Sequence, residues 1–216
     1  TKFGVYNVHG SVLPKYRGSS PIQWSLINGE KNLGVTILQT LAGLDNGPIL
    51  LTQEYEIQPQ DTVESLMHTL ATIGGDLMVK ALDMLESGNY VLTPQNEDEM
   101  TYFPMLKKEM SPIDFNKTAT EVVNFVRGME AWPVATVNLQ GNITKVYGAQ
   151  VVNYMPEKSY NCGEVVCATN KLGLIVQTAN GFVRLFDIQP QNSKRMKDTD
   201  YLNGKKIEVG TNITNI

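Results

Sequence analysis

Short runs of β-branched and aromatic residues mark three strands early in the chain: Phe3 to His9 ending at Gly10, Gly34 to Thr40, and Ile49 to Ile57. The spacing then changes. Between Thr62 and Glu86, Val63, Leu66, Met67, Leu70, Ile73, Leu77, Met78, Ala81, Leu82 and Leu85 recur at intervals of three and four, which predicts one long helix with a single apolar stripe. Asp61 with Glu64 reads as its N-terminal cap, and Ser87-Gly88 as its stop. Strands alternating with a helix favour an α/β sheet covered on its faces. Some ninety residues supply about half of an open doubly wound sheet, so the sheet is expected to extend upstream of Thr1.

The second half is patterned differently. Thr118-Ala119-Thr120-Glu121 is a capping box ahead of an amphipathic helix built on Val122, Val126 and Met129. Val134 to Leu139 and Thr144 to Val152 flank a Gly141-Asn142 turn, while Gly173 to Thr178 and Phe182 to Ile188 flank Asn180-Gly181, a strong hairpin signal. Repeated short strands with regular turns suggest a small barrel. Between the halves, Pro94, Pro104 and Pro112 and the acidic run Glu97-Asp98-Glu99 break both periodicities. The expected organisation is therefore an α/β domain over residues 1–90, a linker over 91–109 and a β-rich domain over 110–216.

Composition narrows the classes. With 216 residues, 42% of them hydrophobic, the chain can bury real cores, and its longest apolar runs are far too short to span a bilayer. Net charge is −4, divided into 7 basic and 13 acidic residues up to Glu109 and 11 and 9 after it. Cys162 and Cys167, on a strand, would stand about 16 Å apart, beyond disulfide reach, which favours a reducing compartment. The three Asn-x-Thr triplets are read as chance.

Asn7-Val8-His9 closes the first strand, and the period of two puts Asn7 and His9 on one face, where α/β sheets build ligand crevices. Two satisfied polar residues at a strand end would show the same spacing. Gly10 to Gly18 follows as a glycine-bracketed loop carrying Lys15 and Arg17, without the spacing of a P-loop. Asp45 sits on a tight turn between Gly43 and Gly47, where an Asp usually bonds its own backbone. His68 reads as a helix-surface residue. Two histidines and two cysteines give no metal-ligand spacing, and no G-x-S-x-G elbow is present.

The ordered blocks Asn7-Val8-His9-Gly10-Ser11-Val12-Leu13-Pro14-Lys15-Tyr16-Arg17-Gly18, Pro21-Ile22-Gln23-Trp24, Gly34-Val35-Thr36-Ile37, Gly43-Leu44-Asp45, Trp132-Pro133 and Leu202-Asn203-Gly204 closely resemble the folate-dependent formyltransferases. The likeness covers nearly the whole chain and is greatest to members that act on methionyl-tRNA. It departs at Val12, where the family usually has leucine, and at Leu41, where it usually has an acidic residue. The resemblance implies the C-terminal half of a Rossmann-like formyltransferase sheet followed by an OB-like β-barrel. It also implies Asn7, His9 and Asp45 as catalytic residues, and Ser11, Val12, Leu13 and Pro14 as the tetrahydrofolate site.

Its co-substrate would be 10-formyltetrahydrofolate, with no metal. Its partner would be initiator methionyl-tRNA, met in part by Lys194, Arg195, Lys197, Lys205 and Lys206. A monomer in the cytoplasm or an organellar matrix is expected. In the implied chemistry, the Asn7 amide and protonated His9 hold the tetrahedral oxyanion, while Asp45 orients His9 and takes the amine's proton. Alternatives are a formyltransferase for a sugar nucleotide or a purine precursor, and an RNA-binding chain without catalysis.

Overall fold

The computed structural model describes residues 2–214, and its chain divides into two compact units between Met105 and Leu106. The first unit carries β1 (Tyr6–His9), β2 (Arg17–Gly18), α1 (Pro21–Ile27), β3 (Asn32–Gln39), β4 (Ile49–Glu56), α2 (Val63–Ser87) and β5 (Tyr102–Phe103). Strands β1, β3 and β4 form an antiparallel sheet with β3 in the centre, in a register that pairs Val8 with Ile37 and His9 with Thr36.

Side-chain parity gives this sheet two different faces. Leu33, Val35 and Ile37 on β3 pack with Leu66, Leu70, Leu77, Ala81 and Leu85 of α2 into the main core of the unit. Val8 shares that face: a Cβ at Gly74 of α2 would stand 2.7 Å from its Cγ1. The residues in between, Gly34 and Thr36, point the other way, toward the loop that follows β1. A Cβ on Gly34 would meet Val12, and the Thr36 hydroxyl binds Ser11 and Leu13.

Both ends of α2 have a local cause. Gly88 closes it in a left-handed conformation at φ 73. The capping box lies one residue later than expected, with Thr62 as N-cap and Ser65 as its reciprocal partner. Asp61 is instead drawn inward: it is buried and accepts from the Gln58 backbone N–H, the Tyr55 hydroxyl and the Ser65 hydroxyl. Three elements had no periodic signal, the seven-residue α1 and the two-residue strands β2 and β5, which pair in parallel.

The stretch expected as a linker folds onto the first unit as far as Met105. Thr93 bridges to Ile49, Thr101 bonds the backbone of Tyr16 and Arg17, and Phe103 stacks between Tyr16 and Trp24 with ring centroids 4.8 and 5.2 Å away. Prolines end helices but leave extended chain free to pair at a sheet's margin, which is what this stretch does.

The second unit contains α3 (Ala119–Met129), β6 (Ala135–Leu139), β7 (Asn142–Val152), β8 (Val165–Thr169), β9 (Gly173–Gln177), β10 (Phe182–Gln189), β11 (Met196–Lys197) and α4 (Asp198–Gly204). Its sheet runs in the order β6-β7-β10-β9-β8, with β11 on β10. The strand β8 was not foreseen. Residues 210–213 bond Val165 and Gly163 on one side and Asn138 of β6 on the other, joining the two ends of the sheet into a barrel. Helix α3 starts at the expected Thr118/Glu121 box and buries Val122, Val126 and Met129. Cys162 and Cys167 are free. Among the described residues no helix is long and apolar enough to cross a membrane.

Candidate active site

On β1 the face opposite α2 carries Asn7 and His9, and the chain leaves His9 directly into the glycine-bracketed loop. His9 is buried. Its Nε2 lies 2.9 Å from the Tyr16 carbonyl oxygen, and since a carbonyl only accepts, Nε2 carries the proton of that bond. The remaining nitrogen, Nδ1, faces the Asp45 carboxylate with 3.8 Å to Oδ2. That is close enough for charge to act and too far for a formed hydrogen bond. Nδ1 is therefore the edge at which a proton can be held or given up.

Asp45 is set by its turn. Its φ of 49 is the left-handed region, which Asp tolerates better than most side chains. Rather than folding back on its own turn, its Oδ2 accepts from the Gly18 backbone N–H at 3.0 Å. Asp45 and Asn7 line one cleft of about 310 Å³, together with Leu38, Gln39, Leu41 and Asn46. Asn7 is exposed within it. The structure thus brings Asn7, His9 and Asp45 to one place at the edge of the sheet.

The four residues of the loop behave differently. Ser11, Val12, Leu13 and Pro14 line a separate pocket of about 480 Å³ that also meets Tyr16, Glu30, Lys31 and Leu33. Ser11 and Leu13 are almost fully buried, and the Ser11 hydroxyl donates to the Lys15 carbonyl at 2.7 Å. Buried Thr36 clamps the loop by donating to the Ser11 carbonyl at 2.7 Å and accepting from the Leu13 N–H at 3.2 Å. What this loop can offer a ligand is mainly shape and backbone, since its hydroxyl is already engaged.

The profile described as "Formyl transferase" matches residues 1–82, and "Formyl transferase, C-terminal domain" matches residues 105–206. The chain belongs to the formyltransferase family. The methionyl-tRNA formyltransferases of Thermodesulfovibrio yellowstonii, Ruminiclostridium cellulolyticum and Fusobacterium nucleatum are 40%, 39% and 37% identical to it over 97%, 96% and 97% of its length. They are longer: the chain spans 66%, 66% and 67% of them, about two thirds.

Solved structures share the fold. A variant of HypX from Aquifex aeolicus superposes with a TM-score of 0.68 at 21% identity, covering 94% of this chain and 36% of that one. Methionyl-tRNA formyltransferase from Clostridium thermocellum superposes at 0.56 and 22%, covering 69% and 64%.

Several side chains around this candidate site escaped sequence reasoning. Arg17, one of the two cations of the glycine-bracketed loop, is 6% exposed and donates to Gln95 and Glu97, with its NH2 2.7 Å from Glu97 Oε1. Its guanidinium holds the Glu97 carboxyl below the usual range. Tyr16 donates its hydroxyl to Glu30 at 2.6 Å, and burial first, then that bond, pushes the phenol up to about 12. Arginine just ahead of the glycine that closes the loop was the available signal for the first; nothing local marked Gln95.

Two of the five cations near the C-terminus are paired, Arg195 with Asp187 and Lys206 with Glu208, each at 2.8 Å. Lys194, Lys197 and Lys205 are not among the ion pairs of the described residues. Among those residues, no group of three His, Cys, Asp or Glu is placed to hold a metal.

Proposed function

We propose that this chain carries the catalytic residues for transfer of a formyl group from 10-formyltetrahydrofolate to the α-amino group of initiator methionyl-tRNA, a step that prepares translation initiation. The observation that supports it most is the Asp45 carboxylate, 3.8 Å from His9 Nδ1 and lining one cleft with Asn7. The methionyl-tRNA formyltransferases among its relatives support the choice of acceptor.

In this reading the neutral amine attacks the formyl carbon, and the carbonyl becomes a tetrahedral oxyanion. The Asn7 amide and the Nδ1–H of protonated His9 donate to it. Nδ1 is the only ring position for this, because Nε2 is committed to the Tyr16 carbonyl. At 3.8 Å from Asp45 the Nδ1–H is not committed to a formed hydrogen bond, so it is open to the oxyanion, with the carboxylate as a neighbouring counter-charge. Asp45 accepts the proton that the amine loses. The bond from carbon to N10 of the folate then breaks, N10 takes up the proton that Asp45 accepted, and formylated methionyl-tRNA and tetrahydrofolate leave. Ser11 to Pro14 contact the folate through shape and backbone groups.

The test is formylation of charged initiator tRNA by this chain and by a protein extended upstream to the length of its relatives. Asn7→Ala and Asp45→Ala in whichever is active should each lower turnover about a hundred- to a thousandfold. Turnover near that of the unsubstituted protein would overturn the assignment. For the tRNA, the logarithm of affinity should fall linearly with the logarithm of salt, and a flat response would remove Lys194, Lys197 and Lys205 from phosphate contact.

A further inference from the structure

Gln95 lies in the stretch that reads as linker, 50 residues from Asp45 in sequence, yet it touches the Asp45 turn at two points. Its Nε2 donates to the carbonyl oxygens of Asp45 and Gly47, both at 2.7 Å. One amide nitrogen thus uses both its hydrogens to bridge the two ends of the tightest part of the turn. Its Oε1 is held in place from the other side. Arg17 Nε and NH2 donate to it at 3.1 and 2.8 Å, and the same guanidinium is gripped by Glu97 through NH1 at 3.0 Å and NH2 at 2.7 Å.

The amide cannot flip. Turned over, it would aim its NH2 at a guanidinium and its oxygen at two carbonyls, so every contact would become repulsive. The chain of contacts ends at chemistry. The turn that Gln95 bridges holds Asp45 at a φ of 49, and from that conformation Oδ2 reaches both the Gly18 N–H and the neighbourhood of His9 Nδ1. A left-handed non-glycine residue persists only when its surroundings over-determine it. Here Gln95 and Gly18 are those surroundings, and Arg17 is one residue before Gly18 on the same strand. One buried arginine therefore organises both anchors of the carboxylate.

Resting on the catalytic reading of Asp45, we propose that Gln95, oriented by Arg17 and Glu97, is the positioning residue that sets the distance between Asp45 and His9. It touches neither substrate nor the reacting atoms. Its removal releases the Asp45 turn, and a misplacement of about 1 Å at a reacting group lowers turnover about a hundredfold.

Two variants separate positioning from general stability. Gln95→Met keeps the volume and loses both sets of bonds. Gln95→Glu keeps an acceptor for Arg17 but turns a carboxylate oxygen toward the Asp45 and Gly47 carbonyls, so the bridge to the turn is replaced by repulsion. The expected result is a loss of activity of similar size in both variants, whatever the difference between their melting temperatures. Both should show kcat lowered about ten- to a hundredfold and KM for each substrate within about twofold. A merely structural role would make activity follow stability instead.

A second measurement needs no turnover. In nitrogen-15 NMR spectra the Gly18 amide, bonded to the Asp45 carboxylate, and the His9 ring should both move in the two variants, while His68, on the exposed side of α2, stays as an internal control. Unmoved Gly18 and His9 signals in both variants overturn the proposal, as does kcat at the unsubstituted value. If Asp45→Ala retains full turnover while Gln95→Met still moves the Gly18 signal, the catalytic reading fails and the structural link from Gln95 to Asp45 stands.

Discussion

Replacing Asp198 by alanine removes the acceptor at the centre of the second unit's most completely bonded ionic cluster. Asp198 has no exposed surface, and its carboxylate accepts four bonds at 2.8 Å: from Arg184 Nε and NH2, from the Leu174 N–H and from the Thr199 N–H. The space is built around it, because a Cβ on Gly173, held at φ 87, would overlap both Asp198 Oδ2 and the Arg184 guanidinium. Breaking a buried pair from one side typically destabilises by about 3–5 kcal/mol. Arg184 keeps 24% of its side-chain surface exposed and can regain some water, which places the expected loss near the lower end, about 3 kcal/mol.

An unfolding entropy of about 2.1 cal/mol/K per residue over about 110 residues gives ~0.23 kcal/mol/K, so the transition should fall by about 13 °C. Calorimetry on the 216-residue chain measures it. Trp132 fluorescence assigns the transition when Trp24, the other tryptophan of the chain, is replaced by phenylalanine. Asp198→Asn, which keeps one oxygen, should lie between alanine and the natural residue. A fall of less than about 4 °C for Asp198→Ala would refute the view that this cluster fastens α4 and β11 to the barrel, and with it the reason for glycine at position 173.

Adjacent glycines in α2 should respond with opposite signs. Gly75 has open space where a Cβ would go, so Gly75→Ala should stabilise by about 1 kcal/mol. Gly74→Ala makes the same helical gain but meets Val8, with crowding of about 1–3 kcal/mol. Urea midpoints moving the same way in both would contradict the close approach of helix and strand. Thr36→Val keeps the shape of a fully buried side chain and strands the Leu13 N–H and Ser11 carbonyl, so it should destabilise the first unit by about 1–3 kcal/mol in urea unfolding.

At the start of α3, hydrogen bonds from Thr118 hold the Glu121 carboxyl below its ordinary value. A group whose pKa is lowered by folding stabilises fully above its unfolded pKa and loses that stabilisation as pH falls through the folded one. Thermal melts between about pH 5 and about pH 3 should therefore show a shallower acid loss for Glu121→Gln than for the unsubstituted protein.

The periodic parts of this chain are legible without a structure because their causes are local. The stripe from Val63 to Leu85, the Thr118/Glu121 box, the left-handed stop at Gly88 and the Asn180-Gly181 hairpin each depend on neighbours within a few residues. The same alternation that predicts the first strand puts Asn7 and His9 on one face, and the quoted blocks carry the family resemblance. Tertiary structure decided which face that is, since Val8 turns to α2 only because a glycine at position 74 lets the helix approach. It also moved the α2 cap from Asp61 to Thr62, because the buried Asp61 carboxylate found donors in Gln58 and Tyr55.

Above all, it drew residues 91–105 into the first unit, where Gln95 and Glu97 meet Arg17 across 78 and 80 positions. Contacts at that separation leave no periodicity. A glutamine in a loop reads the same from the sequence whether it faces water or bridges the turn beneath a carboxylate, and only the folded chain distinguishes the two.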